Sequence, residues 1–283
     1  MKDDMLKDLK NTQIISRKDQ KLDSENFPLL FTARLMAHYR AKECKSDFPL
    51  IIDPFAERLA GDITFYFDNH VRYSEMDYPI VRSFFIEENL LKSWCTTHKN
   101  SQIVLLGAGL DTRAYRLKFI QTHTHNIFEI DLPLVNRYKE EILKDEKPLC
   151  HLERISADLS NPEWISLLIK SGFSGQIPTL WILEGLVYYT ERESVVSLLT
   201  KTYEISSKNS QIFVDICIPI LAEIKVGPFS KYFKWGLDKK DIPSFFSNLG
   251  WNVSCSYADD YDQGRDVGQK GLIFVCGEKA IIK

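Results

Sequence analysis

Four short segments of this sequence close apolar runs with residues able to hold a ligand: Gly107-Ala108-Gly109, Glu129-Ile130-Asp131, Asp158-Leu159 and Glu184-Gly185. Glycine lets a backbone adopt positive φ and come close to a bound molecule. The glycine pair runs into Leu110-Asp111-Thr112-Arg113, which can open a helix with Asp111 or Thr112 as its cap. It is not a dinucleotide fingerprint, because G-x-G-x-x-G needs glycine where Thr112 stands. A diphosphate requires close main-chain approach and an open helix N-terminus. A nucleoside ligand without phosphate makes no such demand, so the third glycine is dispensable. Taken alone, the segment is equally a tight strand-to-helix turn.

The acids extend the same logic. Asp131 lies about 20 positions beyond the glycines, where an acid after a second strand accepts hydrogen bonds from ribose hydroxyls. Such bonds to a charged acceptor contribute about 1.5–3 kcal/mol. Glu129 shares its strand face, but Asp131 is nearer the strand end and is the preferred candidate; it can also cap a helix opening at Pro133. Asp158 can accept an adenine amino group while Leu159 meets the ring, or it can cap a helix near Pro162, as Ser160 and Asn161 also can. Glu184 follows Leu180-Trp181-Ile182-Leu183, and a lone acid there is costly to bury unpaired. Its partner is a ligand ammonium, the preferred reading, or else Arg192 or another arginine. Arg82, in an otherwise apolar helical stretch, can clamp a ligand carboxylate through two parallel bonds or form an ion pair between helices.

A scaffold must gather these residues, and the hydropathy pattern supplies one. Apolar runs at Ile103–Leu106, Asn126–Asp131, His151–Leu159, Pro178–Gly185 and Ser210–Cys217 read as strands. Helical patterns fill Leu132–Lys147, Pro162–Gly172 and Glu191–Ser207 between them. Alternation of this kind implies crossover units and a parallel sheet with helices on both faces. Open parallel sheets bind ligands beyond the carboxyl ends of their strands, which is where the glycines and acids fall. Trp251–Ser256 and Gly271–Gly277 are joined by a link too short for a helix and should pair antiparallel. Two helical stretches, Phe27–Asp62 and Tyr78–Cys95, precede the first strand. Residues 218–245, with Pro219, Phe229, Tyr232, Phe233 and Trp235, interrupt the alternation and read as a lid. The expected organisation is one domain over residues 27–283, with N-terminal helices at 27–100 and a polar, mobile tail at 1–26.

Composition narrows the function. The 283 residues, 44% of them hydrophobic, suffice for one large core. Apolar runs stay far short of the roughly 20 residues that span a bilayer, and polar, charged Met1–Lys21 carries no secretory signal. A net charge of -3 gives no footprint for nucleic acid. The six cysteines form no C-x-x-C pair, so a zinc site has no support and reduced thiols in the cytoplasm are expected. The histidines form no metal constellation: His123 and His125 share a face of an extended segment without a third ligand. No G-x-S-x-G serine signature is present.

The run Val104-Leu105-Leu106-Gly107-Ala108-Gly109-Leu110-Asp111-Thr112-Arg113-Ala114-Tyr115-Arg116-Leu117 resembles the signature of the leucine carboxyl methyltransferase family. Tyr39-Arg40-Ala41-Lys42-Glu43, Asp53-Pro54-Phe55-Ala56, Phe128-Glu129-Ile130-Asp131-Leu132-Pro133 and Glu184-Gly185-Leu186-Val187-Tyr188-Tyr189 match it in the family's order. The resemblance implies a Rossmann-like class I methyltransferase sheet, mostly parallel with an antiparallel last strand, and S-adenosylmethionine as methyl donor. By position it assigns donor contacts to Arg82, Gly107, Asp131, Asp158, Leu159 and Glu184, with Gly109 completing the glycine turn. The bacterial O-methyltransferase branch is the nearer one. A small-molecule acceptor, methylated on a carboxylate or hydroxyl oxygen, is expected; Tyr188 or Tyr189 can orient it. A carboxylate needs no general base, whereas a hydroxyl does. Neutral phenols with reference pKa about 10 are poor bases, so no catalytic residue is assigned. The rival readings are a nicotinamide-dependent oxidoreductase, a protein carboxyl methyltransferase and a non-catalytic binding protein.

Overall fold

A computed structural model of the chain describes residues 30–63, 77–122, 124–224, 232–267 and 270–280. The expected tail at 1–26, and His123, lie outside them. β1 (Asn100–Leu106) is buried from Ser101 onward, β4 (Thr179–Leu183) throughout, and β5 (Gln211–Cys217) after its first residue. Runs apolar on both faces are what a sheet covered by helices on each side requires. With β2 (Thr124–Asp131), β3 (His151–Ser156), β6 (Trp251–Tyr257) and β7 (Leu272–Lys279), they form one seven-stranded sheet ordered β3-β2-β1-β4-β5-β7-β6. β1 to β5 are mutually parallel, and β7 runs antiparallel between β5 and β6. The strand order reverses at β1 and β4, so a crevice opens at their carboxyl ends.

Helices cover both faces. α1 spans 30–43 and α2 is Ala56–Ala60. α3 (Tyr78–Phe85), a π-helical turn (Ile86–Leu91) and α4 (Lys92–Thr97) follow without a break. The short α5 (Arg113–Arg116) follows β1, and α6 (Pro133–Ile142), α7 (Glu163–Lys170) and α8 (Arg192–Ile205) are the crossovers after β2, β3 and β4. α9 (Pro219–Ile224) and α10 (Ile242–Ser247) lie between β5 and β6. Trp164, Trp181, Phe128, Phe213 and Phe274 are fully buried at the sheet. A second apolar cluster joins Phe31, Leu35, Tyr39, Ile51, Ile63 and Ile80, with Tyr189 and Phe233 packed against it.

Three expectations need correction. The helical stretch Phe27–Asp62 is not continuous: α1 stops at residue 43, and a loop containing Pro49 and Pro54 separates it from the five-residue α2. Tyr78–Cys95 is not uniformly α-helical, because its middle widens to the π turn that carries buried Glu87 inward. β3 stops at Ser156: the Ala157 amide makes the last rung to the Asp131 carbonyl at 3.0 Å, and Asp158 then folds into a local turn, its carbonyl taking the Asn161 amide and its Oδ1 the Ser160 amide. Within the stretch 218–245, residues 225–231 are outside the described part. The return limb is held by the Lys234 amide on the Tyr188 carbonyl (2.7 Å) and by Trp235 Nε1 on the Val187 carbonyl (2.9 Å).

Candidate donor site

The loop after β1 is shaped by its two glycines. Gly107 (φ 71°) and Gly109 (φ 53°) are left-handed, where a side chain is strained. A Cβ on Gly107 would press on Leu186 at 3.1 Å. Among the described residues a Cβ on Gly109 would touch one atom, Ala33 Cβ at 3.8 Å, so this turn faces an opening. The loop is tied to β2: the Gly107 and Ala108 amides donate to the Ile130 carbonyl, and the Gly109 amide donates to Asp131 Oδ2 at 2.6 Å. Asp131 Oδ1 takes the Leu132 amide at 2.7 Å, and no side chain caps α6. Burial raises the Asp131 carboxyl, and the two amides only partly offset it. Glu129 is fully buried, paired with Lys139 (2.7 Å) and Arg154 (2.9 Å).

Glu184 ends β4 and sits between two arginines. Oε1 accepts from Arg82 Nε at 3.0 Å and from Ser83 Oγ at 3.2 Å; Oε2 accepts from Arg113 Nη1 at 2.7 Å. The cationic partner that sequence reasoning demanded is thus supplied by Arg82 and Arg113. Arg192 instead lies over the Phe245 ring. Burial by itself would push the Glu184 carboxyl up, but Arg113 and Arg82 overcome it and hold it at about 2. Its side chain keeps 17% exposure.

Arg82 is the meeting point of the site. Beyond Glu184, its Nη1 donates to Asp215 Oδ2 (2.7 Å) and to the Tyr188 hydroxyl (3.1 Å), and its guanidinium lies over the Tyr78 ring. Asp215, fully buried in β5, also accepts the Tyr78 hydroxyl (2.6 Å), the Tyr188 hydroxyl (3.1 Å) and the Gly185 amide (2.6 Å). Gly185 is itself left-handed (φ 66°), and a Cβ there would come within 3.2 Å of the Arg82 guanidinium. Burial first, then Asp215, drives the Tyr188 phenol well above its usual range. Sequence reasoning missed Asp215, although the signal that found Glu184, one acid in an apolar run, is present in Gln211–Cys217.

The polar chain continues into the N-terminal segment. Arg113 also pairs with Asp111 (2.7 Å) and Glu87 (3.3 Å), and Arg116 pairs with Glu87. Arg116 Nε donates to Thr112 Oγ1, which donates to Asp53 Oδ2 at 2.7 Å; Asp53 in turn pairs with Arg40 at 2.8 Å. Thus Asp53-Pro54-Phe55 and the π turn grip the Asp111–Arg116 segment from the side opposite the sheet.

The structure brings Arg82, Glu184 and Tyr188 into one network and Gly107, Gly109 and Asp131 into another, both at the carboxyl edge of the sheet. Asp158 and Leu159 stand apart at the end of β3. Asp158 is exposed, with Oδ1 accepting the Ser160 amide at 2.8 Å, and Leu159 is half-buried against the core. Tyr188 is buried, in contact with Tyr189 and with Phe233 of the return limb. No helix among the described residues is long and apolar enough to cross a membrane.

The strand order, the single antiparallel strand next to the edge and the left-handed glycine turn after β1 define a class I methyltransferase fold. Residues 33–203 match the model of the leucine carboxyl methyltransferase family, and the chain belongs to that family. A protein of Saccharopolyspora erythraea named "Putative S-adenosyl-L-methionine-dependent methyltransferase" is 32% identical over 245 residues, covering 78% of this chain and 83% of its own. A protein of the same name from Mycobacterium sp. (strain KMS) is 27% identical over 257 residues, covering 81% and 85%. Among solved structures, a DUF574 family protein from Streptomyces avermitilis aligns with TM-score 0.60 at 11% identity, over 88% of this chain and 97% of that one. A "putative methyltransferase" from Thermobifida fusca aligns with TM-score 0.55 at 16% identity, over 88% and 94%. At these identities the structural likeness is one of fold.

Proposed function

We propose that this methyltransferase uses S-adenosylmethionine to methylate an oxygen, a carboxylate in preference to a hydroxyl, on a small organic acceptor. The observation that carries the reading is the arrangement of Arg82, Glu184, Gly109 and Asp131 around the carboxyl ends of β1, β2 and β4. An arginine and an acid held side by side suit an amino-acid end, which offers a carboxylate and an ammonium together. The open, left-handed turn at Gly109 admits close backbone approach, and Asp131 beside it suits ribose hydroxyls. Exposed Asp158, with Leu159, suits an adenine amino group and ring. These residues would hold the donor, which when bound supplies a methyl group made electrophilic by the sulfonium.

The remaining work of the chain is to orient the two reactants in line and keep water out. The N-terminal helices and the described residues 218–224 and 232–245 are the segments that would roof the acceptor, with Tyr188, Tyr189 and Phe233 lining their meeting point. Tyr188 and Tyr189 cannot take a proton from the acceptor, because burial raises both phenols. A carboxylate acceptor needs no base, which is why it is preferred here. The test is incubation of the purified protein with donor labelled in the methyl group and panels of small carboxylic acids and phenols. Alkali-labile label on an acid, with release of S-adenosylhomocysteine, is the expected result. Label appearing instead on protein or RNA, or a donor that does not bind at all, would refute the reading.

A further inference from the structure

The donor-site reading leaves unassigned a fully buried acid of the region, Asp215. It sits in β5 among Ile212, Phe213, Val214, Ile216 and Cys217, where an uncompensated carboxylate is strongly disfavoured. Its compensation is specific. Oδ2 takes the hydroxyls of Tyr78 (2.6 Å) and Tyr188 (3.1 Å) and Nη1 of Arg82 (2.7 Å), while Oδ1 takes the Gly185 amide (2.6 Å). All four donors belong to two elements, α3 and the loop after β4, and those elements carry Arg82 and Glu184. The guanidinium is consequently held along two edges: Nε against Glu184 and Nη1 against Asp215. Through Gly185 the same carboxylate fixes the main chain next to Glu184.

We propose that Asp215 is a positioning residue that orients Arg82 and the Glu184-Gly185 backbone to receive the amino-acid end of the donor. The proposal rests on the donor site described above, in which Arg82 and Glu184 meet that end. Asp215 itself touches no ligand, so it acts through Arg82. A role limited to fastening α3 to the sheet would affect every ligand alike, whereas a positioning role singles out ligands that possess the amino-acid end.

Asp215→Asn keeps the size of the side chain and an oxygen for the Gly185 amide but removes the charge on which Arg82 rests. The probes are S-adenosylhomocysteine and 5′-deoxy-5′-methylthioadenosine, the same nucleoside thioether without the amino-acid end, both titrated by calorimetry. Affinity of the variant for S-adenosylhomocysteine should fall about tenfold, the loss expected when one bond to a charged group is weakened. Affinity for methylthioadenosine should change less than about twofold, within the range of an indirect effect. In an Arg82→Lys background, Asp215→Asn should then add little, because both substitutions break one linkage. Equal losses for the two probes, or full additivity with Arg82→Lys, would overturn the proposal. Should Asp215→Asn fail to fold, Tyr78→Phe removes the shortest bond to Oδ2. It should weaken S-adenosylhomocysteine by about threefold relative to methylthioadenosine, again the scale of one modest hydrogen bond. An unchanged ratio in that variant overturns the proposal too. A natural chain that binds neither probe would instead refute the donor reading, so the two failures are distinguishable.

Discussion

Glu184→Gln separates the electrostatic from the steric contribution of the site. The substitution keeps the shape of a side chain held by Arg82 Nε at 3.0 Å and Arg113 Nη1 at 2.7 Å, and removes its charge. In the folded chain the Glu184 carboxyl is held at about 2, against an ordinary value of 4.5. A native pKa below the unfolded one stabilises the fold at every pH above the unfolded value. That stabilisation drains away as pH falls through 4.5 toward the native value near 2. At about 1.4 kcal/mol for each pH unit, the separation corresponds to roughly 3 kcal/mol. That is the size of effect seen when one partner of a buried ion pair is lost, about 3–5 kcal/mol. Urea unfolding of both proteins at steps from pH 7 down to pH 3 measures it. The natural chain should be more stable than Glu184→Gln by about 3 kcal/mol at neutral pH, with the gap closing steadily below about pH 5. Two parallel stability curves, or a gap under about 1 kcal/mol at pH 7, would refute the ion-pair argument.

Asp131→Ala should weaken S-adenosylmethionine binding by at least about tenfold by calorimetry, from the loss of a charge-assisted contact. Unchanged affinity in a folded variant would remove Asp131 from the site. Gly236→Ala should lower stability by about 1–3 kcal/mol in denaturant unfolding, as overpacking does. The new Cβ would lie 2.4 Å from the Cys217 carbonyl oxygen, a backbone atom that cannot swing aside, and natural-like stability would show that the return limb can shift. Gly185→Ala should cost more than a left-handed alanine alone, about 1–2 kcal/mol, because its Cβ would crowd Arg82 at 3.1 Å. A loss under about 1 kcal/mol would show that Arg82 relocates at little expense.

The sheet was legible because its central strands are apolar on both faces, a pattern that few other structures tolerate. The positions of the glycine turn, Asp131 and Glu184 followed from one rule about the carboxyl ends of parallel strands. The limits have equally physical origins. The end of β3 is hidden because Ala157-Asp158-Leu159 continues the strand's composition while Asp158 turns the chain by accepting the Ser160 and Asn161 amides. The π turn was invisible because apolar spacing at Ile86, Leu90 and Leu91 fits an ordinary helix as well. The partners of Glu184 lie 102 and 71 positions away, and nothing local distinguishes Arg82 or Arg113 from the many other arginines. Asp215 was within reach of the argument that found Glu184. It differs in lying inside a strand rather than at its end, where the carboxyl-end rule does not point.

The polar chain from Arg40 and Asp53 through Glu87, Arg113 and Glu184 to Arg82 and Asp215 also orders events in time. On a ribosome, Asp53 and Glu87 emerge before Arg113 and Arg116, so the first half of the chain can be neutralised as it is made. Arg82 must wait, because Glu184 and Asp215 are synthesised much later. Until β4 and β5 have joined the sheet, α3 carries a guanidinium with no acid to receive it, and water is its only suitable surroundings. α3 therefore has an electrostatic reason to stay undocked during synthesis, and to settle only once β4 and β5 are complete.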